Sequence, residues 1–497
     1  MATIIPRWEW RAFGRRFPHA EATLAASGSG SAQESEETYL LSSGDGNVKI
    51  RDGLMDIKVL REVDDEGLQR WEPVMKEAFP LGRDDLSRVF EALEVPAPDL
   101  SRDEYTLDEL LAEVLDPLDR VRTVRVTKRR TRSTYAGCSA EVTQIRADGR
   151  STTTVAIESE DGGAVGRAVG EARLAGVTNT SYPSGLRALI DGEPERYAVI
   201  DIGTNSVKFA ITEVDDAGAS RRVVDRAEVT RLGQGRDADG RIADEPLERT
   251  GAAIAEMVEE ARRNGCRAVV AVATAAVRNA PNRDDVVAAI RSRAGVGVEV
   301  LSGEEESRLG FLAVTAGLGV TEGSLVVFDT GGGSTEFTFG HDGQVDERFS
   351  LNVGAAAFTD RFGLDRGVEP DALREAKDAI AAELARIDGR TPPDALVGMG
   401  GAVTNMVAVQ LALETYDPDV VQGATLDRTE VDRQIELYRS RDEDERRTIT
   451  GLQPNRAGVM LAGACIVGVV MEKLAKDSLT ASDRGLRHGL LAERFGA

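Results

Sequence analysis

A chain of 497 residues and 53.3 kDa has room for roughly three domains of ordinary size. Its 41% hydrophobic and 29% charged residues are those of a globular protein, and no apolar run is long enough to predict a membrane span. A net charge of −24 with a pI near 4.8 argues against general nucleic-acid binding, so an anionic ligand must be met by positive charge gathered locally. Residues 1–7 lack the cationic start and apolar core of a secretory signal, which points to the cytoplasm. Three cysteines, Cys138, Cys266 and Cys465, fit neither a disulfide framework nor a metal cluster and are expected to be buried in a reducing compartment.

Residues 8–190 read as short strands with two helical insertions. Segments 48–51 and 54–60 flank Asp52-Gly53, a hairpin signal. Strand alternation then places Lys49 and Arg51 on one face, Lys128, Arg130 and Arg132 together on another strand, and Glu158 with Glu160 on a third. Charges sharing faces of several strands predict a polar interior. Segment 122–132 holds six bases and no acid; composition alone slightly favours a solvated strand face for it. The Ser-Gly-Ser-Gly-Ser run at 27–31 predicts a flexible loop, and 191–195 is the expected boundary between halves.

From residue 197 the pattern becomes apolar strands alternating with helices, as in layered α/β folds. Segments 197–200, 207–212 and 222–230 predict a meander. A helix over 246–263, a strand at 268–273, a helix over 284–294, a strand at 298–301 and a helix opening near 304 follow. Segment 325–328 then restarts the scheme, with strands at 336–340 and 346–351. Each restart carries a similar turn. Asp201-Ile202-Gly203-Thr204-Asn205-Ser206 follows one apolar strand, and Asp329-Thr330-Gly331-Gly332-Gly333-Ser334-Thr335-Glu336 ends another. Glycines at a strand end bare backbone amides that can cradle phosphate, and carboxylates beside such a polyanion make sense chiefly with a divalent cation between them. Two such loops in one half of the chain predict a duplicated domain closing on a single phosphoryl group. Glu304, Glu305 and Glu306 open a helix, where acids offset the helix dipole; set between phosphate loops, one of them can serve as general base in metal-assisted hydrolysis. Histidine is a poor substitute, since only His19, His341 and His488 are present.

These motifs, with Arg231-Leu232-Gly233-Gln234-Gly235, Thr274-Ala275-Ala276-Val277-Arg278, Gly303 through Arg308, Gly398 through Thr404 and Ser482-Asp483-Arg484-Gly485-Leu486-Arg487, stand in the order seen in exopolyphosphatases and guanosine pentaphosphate phosphohydrolases. The chain thus resembles the Ppx/GppA family over about 300 residues. The resemblance implies a duplicated actin/hexokinase-like (ribonuclease H-like) α/β core in two domains, 197–322 and 323–497, that requires Mg2+ and removes terminal phosphate from polyphosphate or pppGpp. Carried over by motif, Glu306 matches the catalytic glutamate. Asp329 and Glu336 match acids at the attacking water, and with Asp201 they match the metal ligands. Gly203, Thr204, Asn205, Ser206, Gly331, Gly332, Gly333 and Ser334 match the phosphate loops. Lys208 stands where relatives carry Arg or His, Arg278 matches the basic loop at the cleft, and Gly400 and Gly401 match a loop that meets a nucleoside in actin-like relatives. Arg456-Ala457-Gly458 has Gly where Asp is common, and Leu486-Arg487-His488-Gly489 has His in place of Glu; both departures are expected outside the catalytic core.

Residues 1–190 resemble the CYTH triphosphate tunnel superfamily, an α+β fold around an eight-stranded antiparallel barrel that holds polyphosphate with inward bases and binds metal through glutamates. Relatives open with Glu-x-Glu-x-Lys, whereas Trp8-Glu9-Trp10-Arg11-Ala12 keeps one Glu and shifts the base. Lys49, Arg51, Lys58, Lys128 and Arg130 are the implied phosphate contacts, with Glu141, Glu158 and Glu160 as metal ligands. The expected function is a cytoplasmic, Mg2+-dependent exopolyphosphatase whose barrel holds the chain. The alternatives are a pppGpp 5'-phosphohydrolase and a non-catalytic polyphosphate or nucleotide sensor. Neither nucleic acid nor membrane is an expected partner, and the sequence leaves a homodimer open.

Overall fold

The structure is a computed structural model that describes residues 5–28, 31–215, 220–235, 239–320 and 322–496. Residues 1–4 of the amino-terminal segment, and residues 29 and 30 of the expected loop 27–31, lie outside the described residues. The chain packs into two compact units. The first is Met1–Tyr197 with Glu213–Arg221 and Glu493–Ala497; the second is Ala198–Thr212 with Arg222–Ala492.

In the first unit eight strands close into a barrel, in the order Arg7–Gly14, Arg150–Ser159, Cys138–Ala147, Arg122–Tyr135, Gln33–Leu41, Asn47–Arg51, Leu54–Val63 and Gln69–Ala78, the last returning to the first. Every pairing is antiparallel, so closure leaves no sheet edge exposed. This is the CYTH-type barrel that the resemblance implies. At the turn between Asn47–Arg51 and Leu54–Val63, Asp52 and Gly53 take φ of 53° and 71°, the two positive angles that a tight twisted hairpin requires. The basic strand splits by alternation. Lys128 is buried at 2% exposure and Arg130 is half-buried, whereas Arg122, Arg125, Arg129 and Arg132 are exposed, so the solvated-face reading fails for two of the segment's six bases.

The unit has more helix than the two expected insertions: Pro18–Ala26, Arg83–Ala92, Gly162–Glu171 and Tyr182–Asp191 all form. Gly162–Glu171 contains four glycines and has little intrinsic preference for helix. Burial of Val165, Ala168 and Val169, and the Asp161 side chain accepting from the Gly163 N–H, hold it instead.

Two sheets built to one plan have most of their residues in the second unit. In the first, Ser220–Val229, Ser206–Val214 and Glu195–Ile202 neighbour in turn and are followed by Ala268–Ala273 and Val298–Val300. In the second, Gln344–Leu351, Thr335–His341 and Ser324–Thr330 form an antiparallel meander, followed by Ala395–Met399 and Ser478–Ser482 in parallel and Thr425–Asp427 at the edge. The repeat is the duplication predicted from the two turns, and it has the actin-like plan that the family resemblance implies. Helix Met460–Lys473 runs through the larger core with every residue from Met460 to Met471 buried. With its preceding 3-10 turn, segment 454–473 reaches membrane-spanning length and hydropathy, contrary to the expectation that no such run exists. Its apolar surface is spent on helices Arg428–Arg439 and Ala355–Phe362, the ordinary situation of a central core helix. Cys138 and Cys465 are buried and Cys266 is half-buried.

Candidate active site

Each half of the second unit carries an Asp at the end of a strand, then a tight turn. The turns close alike. The Gly203 N–H donates to the Ser206 carbonyl at 3.1 Å, and the Gly331 N–H to the Ser334 carbonyl at 2.9 Å. Seven residues after Asp201 stands Lys208, and seven after Asp329 stands Glu336, so the two hairpins offer opposite charges at equivalent places. Lys208 Nζ lies 3.4 Å from Asp201 Oδ2, while Asp329 and Glu336 face each other in strand register. The turns also touch: a Cβ on Gly332 would meet those of Thr204 and Asn205 at 3.3 Å, and one on Gly333 would lie 2.6 Å from Thr204 Oγ1.

Between the turns lies a cavity of about 80 Å³, walled by Asp201, Lys208, Glu306, Asp329 and Glu336 together with both turns, Gly400 and Gly401. Helix Gly303–Leu318 delivers Glu306. Ser302 caps it by accepting from the Glu305 N–H, and the three acids of its first turn part company. Glu304 faces solvent, Glu305 pairs with Arg308 at 3.1 Å, and Glu306 turns into the cavity. Arg278 is set behind Glu306: its guanidinium donates to Glu306 and to the Leu301 carbonyl, with Glu336 at 4.0 Å. In this arrangement it holds the glutamate instead of walling the cavity.

Burial and like charge dominate the electrostatics. Burial, then the Glu336 charge, pushes the Glu306 carboxyl well above the usual range against the pull of Arg278. Burial and Asp201 raise Asp329 against Lys208. Burial and Asp329 raise Glu336 to about 7, although the Ser350 hydroxyl donates to its Oε1 at 2.7 Å. Among the described residues no three His, Cys, Asp or Glu side chains form a cage able to hold an ion by themselves.

Several of these residues were not read from the sequence. Arg456 and Leu486 line the cavity, and Gly458 lines the recess beside it. The two departing motifs therefore reach the site, contrary to expectation, because the loop before the core helix and the carboxy-terminal helix both end there. Ser350 and Gly354 also escaped notice. The N–H groups of Ala355, Ala356 and Ala357, at the start of helix Ala355–Phe362, donate to the carbonyls of Gly331 and Gly332 at 2.9–3.0 Å. A trans peptide sets each carbonyl opposite the next N–H, so the Gly332 and Gly333 amides point away from that helix. The one sequence cue was the small-residue run Gly354-Ala355-Ala356-Ala357.

The first unit has its own polar cavity, about 420 Å³, lined by all five expected bases, Lys49, Arg51, Lys58, Lys128 and Arg130, and by Arg7, Arg11 and Arg132. Glu37, unremarked in the sequence, is their hub, at 2.7 Å from Lys128, 3.2 Å from Lys49 and 3.3 Å from Arg130. Burial and Lys49 lower Lys128 to about 7, while the surrounding bases overcome burial and hold Glu37 far below the usual range. Glu141 pairs with Arg130 at 3.0 Å and Glu158 with Arg7 at 3.3 Å. Glu160 is a correction: it lies beyond the end of strand Arg150–Ser159, exposed in a bend, and does not share the face of Glu158.

The model of the Ppx/GppA phosphatase family matches residues 210–496. The chain belongs to that family. Exopolyphosphatase 2 of Mycobacterium tuberculosis is 30% identical over 321 residues, 61% of this chain and 99% of that protein. A bifunctional 3-dehydroquinate synthase/phosphatase of Fusobacterium nucleatum is 26% identical over 314 residues, and the match spans only 46% of its length. The solved Aquifex aeolicus PPX-GPPA enzyme is 32% identical with a TM-score of 0.52, covering 61% of this chain and 100% of that one. Membership of the Ppx/GppA family makes the chain a phosphoanhydride hydrolase with an actin-like core.

The close packing behind the glycine turn yields a test of its geometry. A Cβ on Gly354 would sit 2.4 Å from the Gly332 carbonyl oxygen, so Gly354→Ala must displace the turn. Phosphate release should fall about 10²-fold while the circular dichroism spectrum is unchanged; wild-type turnover would show that the turn's position does not matter.

Proposed function

We propose that this Ppx/GppA member is a cytoplasmic, Mg2+-dependent exopolyphosphatase that removes the terminal phosphate of inorganic polyphosphate. The observation that supports it most is the single cavity in which two closed turns meet the inward Glu306. The terminal phosphoryl group sits against the amides of 203–206 and 331–334. Glu306, oriented by Arg278, takes a proton from water as its oxygen attacks phosphorus in line; the bridging P–O bond breaks, releasing orthophosphate and a chain one unit shorter. Asp201, Asp329 and Glu336 would hold Mg2+, which when bound offsets charge on the phosphoryl oxygens. Mg2+ usually takes only one or two carboxylates directly and fills its remaining positions with water and substrate oxygens, so one or two of these three would bind it directly and the rest through water, in keeping with the lack of a three-ligand cage among the described residues.

A second reading, pppGpp as substrate, draws on the neighbouring recess of about 600 Å³, whose amides Asn205, Gln234, Asn279 and Asn352 offer donors and acceptors to a nucleoside. Competition between polyphosphate and pppGpp separates the two readings. In either case Glu306→Gln should slow turnover about 10²- to 10⁴-fold with substrate still bound. Phosphate release at the wild-type rate would remove Glu306 from the mechanism.

The raised carboxyls carry a stability signature. A group whose pKa is higher in the folded state contributes stability that is present at low pH and lost as pH rises through the folded value. For Glu336, at about 7, the metal-free protein should lose thermal stability from pH 5 to pH 8, more steeply than Glu336→Gln. Mg2+ should raise the melting temperature more at pH 8 than at pH 5. Equal Mg2+ effects at the two pH values would argue against these carboxylates as ligands.

We further propose that the barrel holds the polyanion, its eight lining bases concentrating substrate on a chain that otherwise repels it. Lys49→Ala/Lys58→Ala/Arg130→Ala should lower activity on long chains more than on tripolyphosphate. An unchanged chain-length preference would count against tethering.

A further inference from the structure

The catalytic cavity opens into two recesses of opposite electrostatic character. Beyond Thr204, Ala275 and Gly333, the 600 Å³ recess sets Arg231 against Asp360, Asp365 and Glu443. On the other side a recess of about 240 Å³ shares Asp201, Lys208, Asp329, Arg456 and Leu486 with the cavity, then continues to Arg222, Arg226 and Arg487.

Five cations, Lys208, Arg222, Arg226, Arg456 and Arg487, line this recess against four carboxylates, Asp201, Asp225, Asp329 and Asp483. Asp225 serves two of the cations: it pairs with Arg487 and lies 3.7 Å from Arg222. Asp483, the other acid beyond the shared wall, accepts from the Tyr416 hydroxyl. Arg226 lies over the Phe209 ring and reaches outward to Glu260 at 2.7 Å and Glu228 at 3.5 Å, and Arg222 also has Asp419 at 3.8 Å. Arg456 donates to the Ser206 hydroxyl at 3.3 Å; among the described residues no carboxylate pairs with it. Guanidinium forks in partial burial suit phosphoryl oxygens, whereas the acids of the larger recess repel them.

We propose that the recess bounded by Arg456, Arg487, Arg222 and Arg226 is the subsite for the internal phosphates of polyphosphate, so that the chain leaves the catalytic cavity on this side. Asp360 and Asp365 bar the opposite route. The proposal rests on the exopolyphosphatase reading and adds the direction in which the substrate lies.

Arg222 and Arg226 are partly exposed, at 38% and 39%, so their substitution tests the subsite without opening the core. In the full-length protein, Arg222→Glu/Arg226→Glu should raise KM for long-chain polyphosphate about 10-fold or more and flatten its dependence on salt. Asp360→Asn, on the opposite recess, should leave KM unchanged. An active wild type whose KM survives the arginine reversal overturns the subsite alone, and a KM that responds at Asp360 instead sends the chain the other way. A wild type that releases no phosphate from polyphosphate sinks the hydrolase reading. Calorimetric titration of the same proteins with polyphosphate then decides the subsite without turnover: about 10-fold weaker binding after reversal supports it, and equal binding overturns it.

Discussion

The second unit is organised around a repulsion. Asp201, Glu306, Asp329 and Glu336 share one small buried cavity, and a close pair of like charges costs about 4 kcal/mol at the effective dielectric of a partly buried site. Nothing in the local chain favours this. What holds the acids together is the rigidity of their supports: two hairpins fix Asp201 and Asp329 at strand ends, cross-strand register fixes Glu336 opposite Asp329, and a capped helix end fixes Glu306. Two cations are paired with the four acids, Lys208 on Asp201 and Arg278 on Glu306. With all four acids ionised, the two negative charges left over match the charge of the proposed Mg2+.

Duplication accounts for the site's asymmetry as well as its origin. Both halves repeat a strand, a glycine turn closed on a serine carbonyl and a second strand, yet the residue seven positions after the aspartate is Lys208 in one and Glu336 in the other. One hairpin therefore neutralises its own aspartate, and the other adds a second carboxylate. Two identical halves would have produced either an over-acidic cavity or one with too little negative charge for a cation.

The strands and both turns were legible because each rests on a short-range rule, apolar period or glycine at a strand end; acids in the first turn of a helix marked Glu304, Glu305 and Glu306 together, and only the family motif singled out Glu306. What escaped is long-range. Ser350 reaches Glu336 across adjacent strands; Gly354 matters because two backbone segments pass there within the width of a side chain; Arg456 enters from a loop far along the chain. None of these leaves a periodic trace. In the barrel, alternation identified the inward bases but not Glu37, whose side chain sits among cations contributed by two other strands. Glu160 failed for the opposite reason, since alternation was extended one residue past the point where the strand stops.

A chain of net charge −24 that is to bind a polyanion, as proposed, must confine its positive potential, and topology gathers its bases. In the barrel, closure turns alternate residues of several strands toward one axis, so bases dispersed along the sequence converge. In the actin-like core the same result comes from segment ends, with Lys208, Arg278 and Arg456 arriving from different elements. Both devices embed cations among acids: Glu37 and Glu141 in the barrel, Asp201 and Glu306 in the core. A cation already paired costs less to bury than a bare one, and a phosphate oxygen then need only compete with a carboxylate for a partner that is already in place. The proposed binding would then be an exchange of anions, which favours ligands able to meet several cations at once over a single free phosphate.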